Sequence, residues 1–152
     1  MVDMRAVIQR VKSAKVEVGS RVIGKIGQGL LVFLGVSRED NYEDADYLVE
    51  KIINLRVFDD EEGKLNLSLL DIGGEILLVS QFTLLADCRK GRRPSFVNAA
   101  NPETAQKIYH YFIEQIKQRK IPLATGEFQS HMEITLINNG PVTIILDSKK
   151  EF

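Results

Sequence analysis

The stretch Leu30-Leu31-Val32-Phe33-Leu34-Gly35-Val36 has no polar face, and this limits the possible folds sharply. A strand that shows one side to water alternates in polarity; one that does not alternate is covered on both faces. With 152 residues, 44% of them hydrophobic, the chain can build one domain with a core of useful size, expected over residues 1–152.

Strands dominate the first third. Ala6-Val7-Ile8-Gln9-Arg10-Val11 is mainly apolar, Lys15-Val16-Glu17-Val18 alternates, and Gly19-Ser20 permits a tight turn into Arg21-Val22-Ile23. A helix follows. Asn41 is a suitable cap, Glu43 and Asp44 match its positive end, and Ala45, Leu48, Val49, Ile52 and Leu55 form a helical stripe. Arg56-Val57-Phe58 is extended, Asp60-Glu61-Glu62-Gly63 is a turn, and Asn66-Leu67-Ser68-Leu69 fits no single element. The second helix starts at Asn101-Pro102-Glu103, buries Ala105, Ile108, Tyr109, Phe112 and Ile116, and stops by Ile121-Pro122. Strands return from Phe128 to Leu146. This order predicts an α+β domain with both helices on one side.

A net charge of -1 excludes a broadly basic nucleic-acid coat, so any RNA contact rests on a local patch. A single cysteine, Cys88, excludes an internal disulfide and fits a reducing compartment. No apolar run approaches the roughly 20 residues of a membrane span. The start, Met1-Val2-Asp3-Met4-Arg5, lacks the pattern of a signal peptide. A cytoplasmic location without a membrane partner is expected.

Two polar interruptions stand out in the apolar strands. Ile76-Leu77-Leu78-Val79 runs into Ser80-Gln81-Phe82-Thr83. Its plain reading is a strand that surfaces and turns polar. Its functional reading is a pocket walled by Phe82, in which Gln81 and main-chain N–H groups orient a carbonyl. No base is adjacent to activate Ser80 or Thr83, so oxyanion stabilisation by backbone N–H groups is the better chemistry. The other interruption is Asn138-Asn139-Gly140-Pro141-Val142-Thr143. It reads either as a hairpin turn or as a kink whose carbonyls receive an ammonium group.

Arg89-Lys90-Gly91-Arg92-Arg93-Pro94-Ser95-Phe96 is either a solvated loop or a site of phosphate contact and base stacking. Cys88, His110 and His131 show no metal-ligand spacing and make no persuasive thiol hydrolase.

Together these segments resemble the D-aminoacyl-tRNA deacylase (D-tyrosyl-tRNA deacylase) family. The resemblance opens on Arg5-Ala6-Val7-Ile8-Gln9-Arg10-Val11 and continues through Gly29 to Val36 and Lys51-Ile52-Ile53-Asn54-Leu55-Arg56. It then takes in Ser80-Gln81-Phe82-Thr83-Leu84, Lys90-Gly91-Arg92-Arg93-Pro94-Ser95-Phe96 and Gly140-Pro141-Val142-Thr143. It runs in order from Met4 to about Ser148, which leaves Met1-Val2-Asp3 as a small extension.

The resemblance implies a layered β/β/α domain with barrel-like strands and two helices packed on one side. It implies hydrolysis of the ester between a D-amino acid and the terminal adenosine of tRNA, a chiral proofreading step in translation. It also implies a homodimer in which a cis Gly140-Pro141 pair enters the partner's pocket as a chiral filter. Ser80, Gln81, Phe82 and Thr83 would floor that pocket, Met132 would line it, and Arg10 would steady the Gly-Pro loop. The family's proposed chemistry relies on the ribose 2′-hydroxyl, with Thr83 as an alternative nucleophile. It needs no cofactor and no metal, and the partner is the aminoacyl-tRNA 3′ end rather than DNA. The chain departs from many relatives in having Gln129-Ser130-His131 for Gly-Ala-Asp and Asn139 for Asp.

Overall fold

β1 (Arg5–Val18) is the axis on which the other strands assemble. Its first half pairs antiparallel with β3 (Gly29–Gly35) and its second half with β2 (Arg21–Ile26). β8 (Glu133–Asp147) runs antiparallel along the opposite edge. β6 (Glu75–Ser80) lies parallel to β3, and β7 (Leu123–Thr125) lies parallel to β6. β2 and β7, at the two ends of this path, approach each other, which curls the six-stranded sheet toward a barrel. β4 (Phe58–Asp59) and β5 (Leu65–Leu67) form a separate two-stranded ribbon. These features come from a computed structural model that describes residues 3–152. Met1 and Val2, the first two residues of the start and of the small extension, lie outside the described residues.

The unbroken apolarity of β3 and β6 follows from two cores, one on each face. Leu30, Val32, Leu34, Ile76 and Leu78 face the helices, whereas Leu31, Leu77 and Val79 face the barrel interior with Val16, Ile26 and Met132. Along β1 the parity changes. Ala6 and Ile8 belong to the helix-side core, but Ala14 and Val16 belong to the interior, and the pairing irregularities beside Val11 separate them. A bulge turns a strand over in this way because side chains alternate strictly along it. At the start of β3 the backbones are tightly opposed. A Cβ built on Gly29 would lie 1.9 Å from the Glu75 carbonyl oxygen, so no side chain fits there.

Both long helices pack on the same face. α1 (Tyr42–Asn54) is capped by Asn41, whose side chain accepts from the Glu43 and Asp44 N–H groups while Asp44 accepts from the Asn41 N–H. α3 (Pro102–Gln118) has Asn101 as cap, accepting from the Thr104 N–H at 2.9 Å, with Pro at the first helical position. The segment left without an assignment resolves into β5 and the short α2 (Leu69–Ile72), closed by a reciprocal Ser68–Asp71 cap. In so short an element the caps outweigh any periodicity.

Between β3 and α1, Asp40 accepts from the Ser37 N–H through Oδ2, while its buried Oδ1 has no partner. Burial pushes this carboxyl up to about 6. The unfolded chain releases the proton near the ordinary value, and the folded chain holds it to about pH 6. This contribution therefore favours the folded state below about pH 4 and is lost as pH rises through 6. The expected outcome is that Asp40→Asn gains melting temperature relative to wild type between pH 4 and 7, read by thermal unfolding at a series of pH values.

Candidate active site

A cavity of about 700 Å³ opens where β6 ends. Its walls are Val79, Ser80, Gln81 and Phe82 from the strand end, residues 128–132 with Ile134 at the start of β8, and Phe96, Ala99 and Ala100 with Pro102 at the start of α3. β6 does not simply fray. Gln81 N–H continues the ladder to the Leu34 carbonyl at 2.8 Å, and the chain then tightens into a 3-10 turn at Phe82–Leu85. The first bond inside that turn runs from Leu84 N–H to the Gln81 carbonyl. The N–H groups of Phe82 and Thr83 thus have no acceptor within the turn, the general condition of a helix start.

Phe82 is 55% exposed and meets Phe96 edge-to-face at 5.1 Å. Below the cavity, Tyr109 ties α3 to β6 by donating to the Leu78 carbonyl at 3.1 Å, and burial pushes its phenol well above the ordinary range. The phenol therefore remains a donor.

Among the lining residues only His131 is titratable, and the rest are apolar or neutral. Thr83 is not among them. Its hydroxyl accepts from the Gln81 side-chain amide, a group that cannot remove its proton. Cys88 is exposed in a different depression, and His110 is exposed on α3. Among the described residues, the carboxylates close enough to share an ion are Asp3, Asp147 and Glu151. None of them lines the cavity, and Arg5 Nε lies 3.5 Å from Asp3.

The other residues singled out in the sequence lie in a second place. The Gly140-Pro141 segment is not a hairpin turn, because both flanking halves of β8 pair with β1. Gln9 faces Thr143 and Val11 faces Asn138, so residues 139–142 stand opposite Arg10 alone, outside the ladder. The Gly140-Pro141 peptide is cis.

Arg10, only 7% exposed, holds this excursion in place. Its Nε donates to the Asn139 carbonyl at 2.7 Å, and its Nη1 donates to the Val57 carbonyl at 3.0 Å and to Asp59 at 3.3 Å. Asn138, singled out in the sequence only as part of the interruption, clamps the neck. Its Oδ1 accepts from the Val142 N–H at 2.8 Å, and its amide donates to the Thr143 hydroxyl at 3.1 Å. Its signal was an Asn at the foot of a Gly-Pro kink. At Gly140, φ is +144° and a Cβ would lie 2.9 Å from Val142 Cγ2 and 3.0 Å from the Arg10 guanidinium, so an L side chain there is both strained and crowded.

Ser80, Gln81, Phe82 and Met132 thus share one cavity, with Thr83 bonded to it through Gln81. Gly140 and Pro141 form a separate exposed kink, anchored by the buried Arg10, that does not line the cavity of its own chain. Phe128, Val36 and the alanines before α3 complete the pocket without having been singled out in the sequence. Small or apolar residues in loops carry no such signal.

Fold and cavity define a small α+β protein with a neutral pocket edged by main chain. The family model described as D-Tyr-tRNA(Tyr) deacylase matches residues 7–147. A D-aminoacyl-tRNA deacylase of Thermosipho africanus is 62% identical over 149 residues, covering 98% of this chain and 100% of the relative. One of Clostridioides difficile is 57% identical with the same coverage. A solved structure described as c-Myc DNA Unwinding Element Binding Protein superposes with TM-score 0.88 at 43% identity, over 93% of this chain and 97% of that one. A probable eukaryotic D-amino acid tRNA deacylase shares the fold, with TM-score 0.80 at 17% identity over 95% and 98% of the two chains. The chain belongs to the D-Tyr-tRNA(Tyr) deacylase family.

Arg10→Met removes the donor to two backbone carbonyls. It is expected to cost about 1–3 kcal/mol for each one left buried and unpaired. Asp59 is half exposed, so Asp59→Asn is expected to change stability by less than about 1 kcal/mol. Urea unfolding of the two variants checks this order.

Proposed function

We propose that the protein hydrolyses the ester of D-aminoacyl-tRNA, releasing the D-amino acid and free tRNA. The observation that carries this reading is the cavity itself. It has no acid, lysine or cysteine in its walls, and its edge is a 3-10 turn with two N–H groups free of acceptors within the turn. An aminoacyl ester is already activated, so positioning and polarisation of its carbonyl suffice. The carbonyl oxygen is held at the Phe82 and Thr83 N–H groups while water adds to the carbonyl carbon. The bond to the ribose 3′-oxygen then breaks. The neighbouring 2′-hydroxyl relays the proton that this oxygen needs, leaving a carboxylate and an intact 3′ end. Such a reaction belongs where charged tRNA is used, in the cytoplasm. Among the described residues no helix is long and apolar enough to cross a membrane.

Handedness is read by main chain. The carbonyls of Gly140 and Pro141 have no strand partner, and they receive the ammonium group of a substrate bound in the partner subunit of a homodimer. With ammonium and carbonyl both fixed, a D side chain points to open space and an L side chain meets backbone. Glycine offers nothing to exclude, so glycyl-tRNA is also a substrate. The dimer is supported by β8, an edge strand whose outer side pairs with no described strand. Its Ile137 and Ile145 are more than half exposed.

The relative described as a DNA unwinding element binding protein gives a second reading, nucleic-acid binding without hydrolysis. Purified protein that binds D-aminoacyl-tRNA without releasing the amino acid would establish that alternative. The deacylase reading expects rapid release from D-aminoacyl-tRNA, slower release from glycyl-tRNA and none from the L form. Fast turnover of the L ester refutes the filter, and a monomer in light scattering refutes the shared site. Thr83→Ala is expected to retain turnover. A tRNA ending in 2′-deoxyadenosine is expected to lose about 10²-fold or more.

A further inference from the structure

A second depression of about 460 Å³ is lined by three arginines from distant parts of the chain. They are Arg5 at the start of β1, Arg38 after β3 and Arg89 after the 3-10 turn, and Asn98 lines it as well. The two depressions share a wall. Ser37 and Ala99 form a β-bridge, flanked by bonds from Arg38 N–H to the Asn98 carbonyl and from Ala100 N–H to the Val36 carbonyl, each 3.0 Å. Val36, Ala99 and Ala100 line the cavity, while Arg38 and Asn98 line the second depression.

The polar depression continues into the basic loop. Asp87 and Ser95 exchange backbone bonds of 2.7 and 2.9 Å, which closes residues 88–94 into an exposed excursion. Beyond that base the chain delivers Phe96 to the cavity. Arg89 is fixed by a two-pronged pair with Asp87 at 2.9 and 2.7 Å, and Arg5 by a bond to the Leu84 carbonyl at 2.9 Å. Arg38, Lys90, Arg92 and Arg93 are exposed, and among the described residues their side chains enter no ion pair or hydrogen bond. Six cations of this depression and loop therefore stand against three carboxylates, Glu39, Asp87 and the Asp3 beside Arg5, in a chain whose overall charge is -1. Such local concentration has an electrostatic use, since it attracts a polyanion to one place.

We propose that this groove binds the phosphodiester backbone of the tRNA 3′ strand just before the terminal adenosine, with Arg38 and Arg92 as direct phosphate contacts. The inference rests on the deacylase reading for the identity of the strand. A nucleotide strand whose last residue occupies the cavity passes over the shared wall into the groove. Phosphate contacts there set the register of the ester without reading sequence.

The test compares wild type with Arg38→Gln and Arg92→Gln, neither of which removes a folded-state contact. Deacylation of D-tyrosyl-tRNA is followed across a KCl series, beside deacylation of 3′-O-D-tyrosyl-adenosine, which has no phosphate. For the tRNA substrate KM is expected to rise about two- to fivefold per arginine with kcat unchanged. The salt slope of log kcat/KM is expected to fall by about 0.7 for each lost contact. The small ester is expected to react equally with all three proteins. Equal losses on both substrates, or unchanged KM and slope on tRNA, overturn the groove. Binding of uncharged tRNA over the same salts separates the two readings. Absence of hydrolysis by wild type defeats the deacylase reading, whereas an Arg38→Gln variant that binds uncharged tRNA with the wild-type slope defeats the groove.

Discussion

At Arg10 the β1–β8 ladder opens, and the guanidinium spans the gap. Donation to the Asn139 and Val57 carbonyls fixes the kinked segment of β8 against Val57 and the ribbon that carries Asp59. A buried cation is costly unless its donors are all used. Here backbone carbonyls carry most of that burden, since the carboxylate partner is half exposed. The five fixed donors of arginine suit this task, and a lysine point charge does not. The position of Gly140 follows from this anchor. Its φ and its close approach to the guanidinium belong to one arrangement.

The cavity obeys a different logic. Its floor is a strand end turned into a 3-10 helix, and its walls combine aromatic rings, alanines and a methionine with the neutral polar side chains of Ser80, Gln81, Gln129 and Ser130 and with His131. Uncharged walls cost far less to desolvate than charged ones, and main-chain donors are held by the backbone rather than by flexible side chains. The bonds from Gln81 to Leu34 and from Tyr109 to Leu78 connect this floor to both neighbours in the fold. Charge is kept outside, on the far side of the Ser37–Ala99 bridge. A cation inside the neutral pocket would carry a desolvation cost that it escapes outside.

Much of this was legible beforehand. The helix caps at Asn41 and Asn101 are local chemistry, and they appear where the residues demand them. The double burial of β3 followed from its missing polar face. The short α2 was not legible, because four residues carry no period and Ser68 and Asp71 define it through caps alone. The Gly-Pro kink was open to a hairpin reading, because a turn and a long bulge use the same residues. Only the pairing of both halves of β8 with β1 separates them. Ser80, Gln81 and Phe82 announced themselves as polar and aromatic residues ending a buried strand, whereas Val36, Ala99 and Phe128 did not.

The order of strands and helices, their caps and the two-faced burial of β3 and β6 are thus written in the sequence. They depend on spacing and residue type within a few positions of one another. Three things required the tertiary structure: the excursion of residues 139–142 opposite Arg10, the neutral cavity, and the cationic groove behind its wall. Each joins segments tens of residues apart, and the sheet register that brings them together is a sum over many contacts that no single stretch of chain contains.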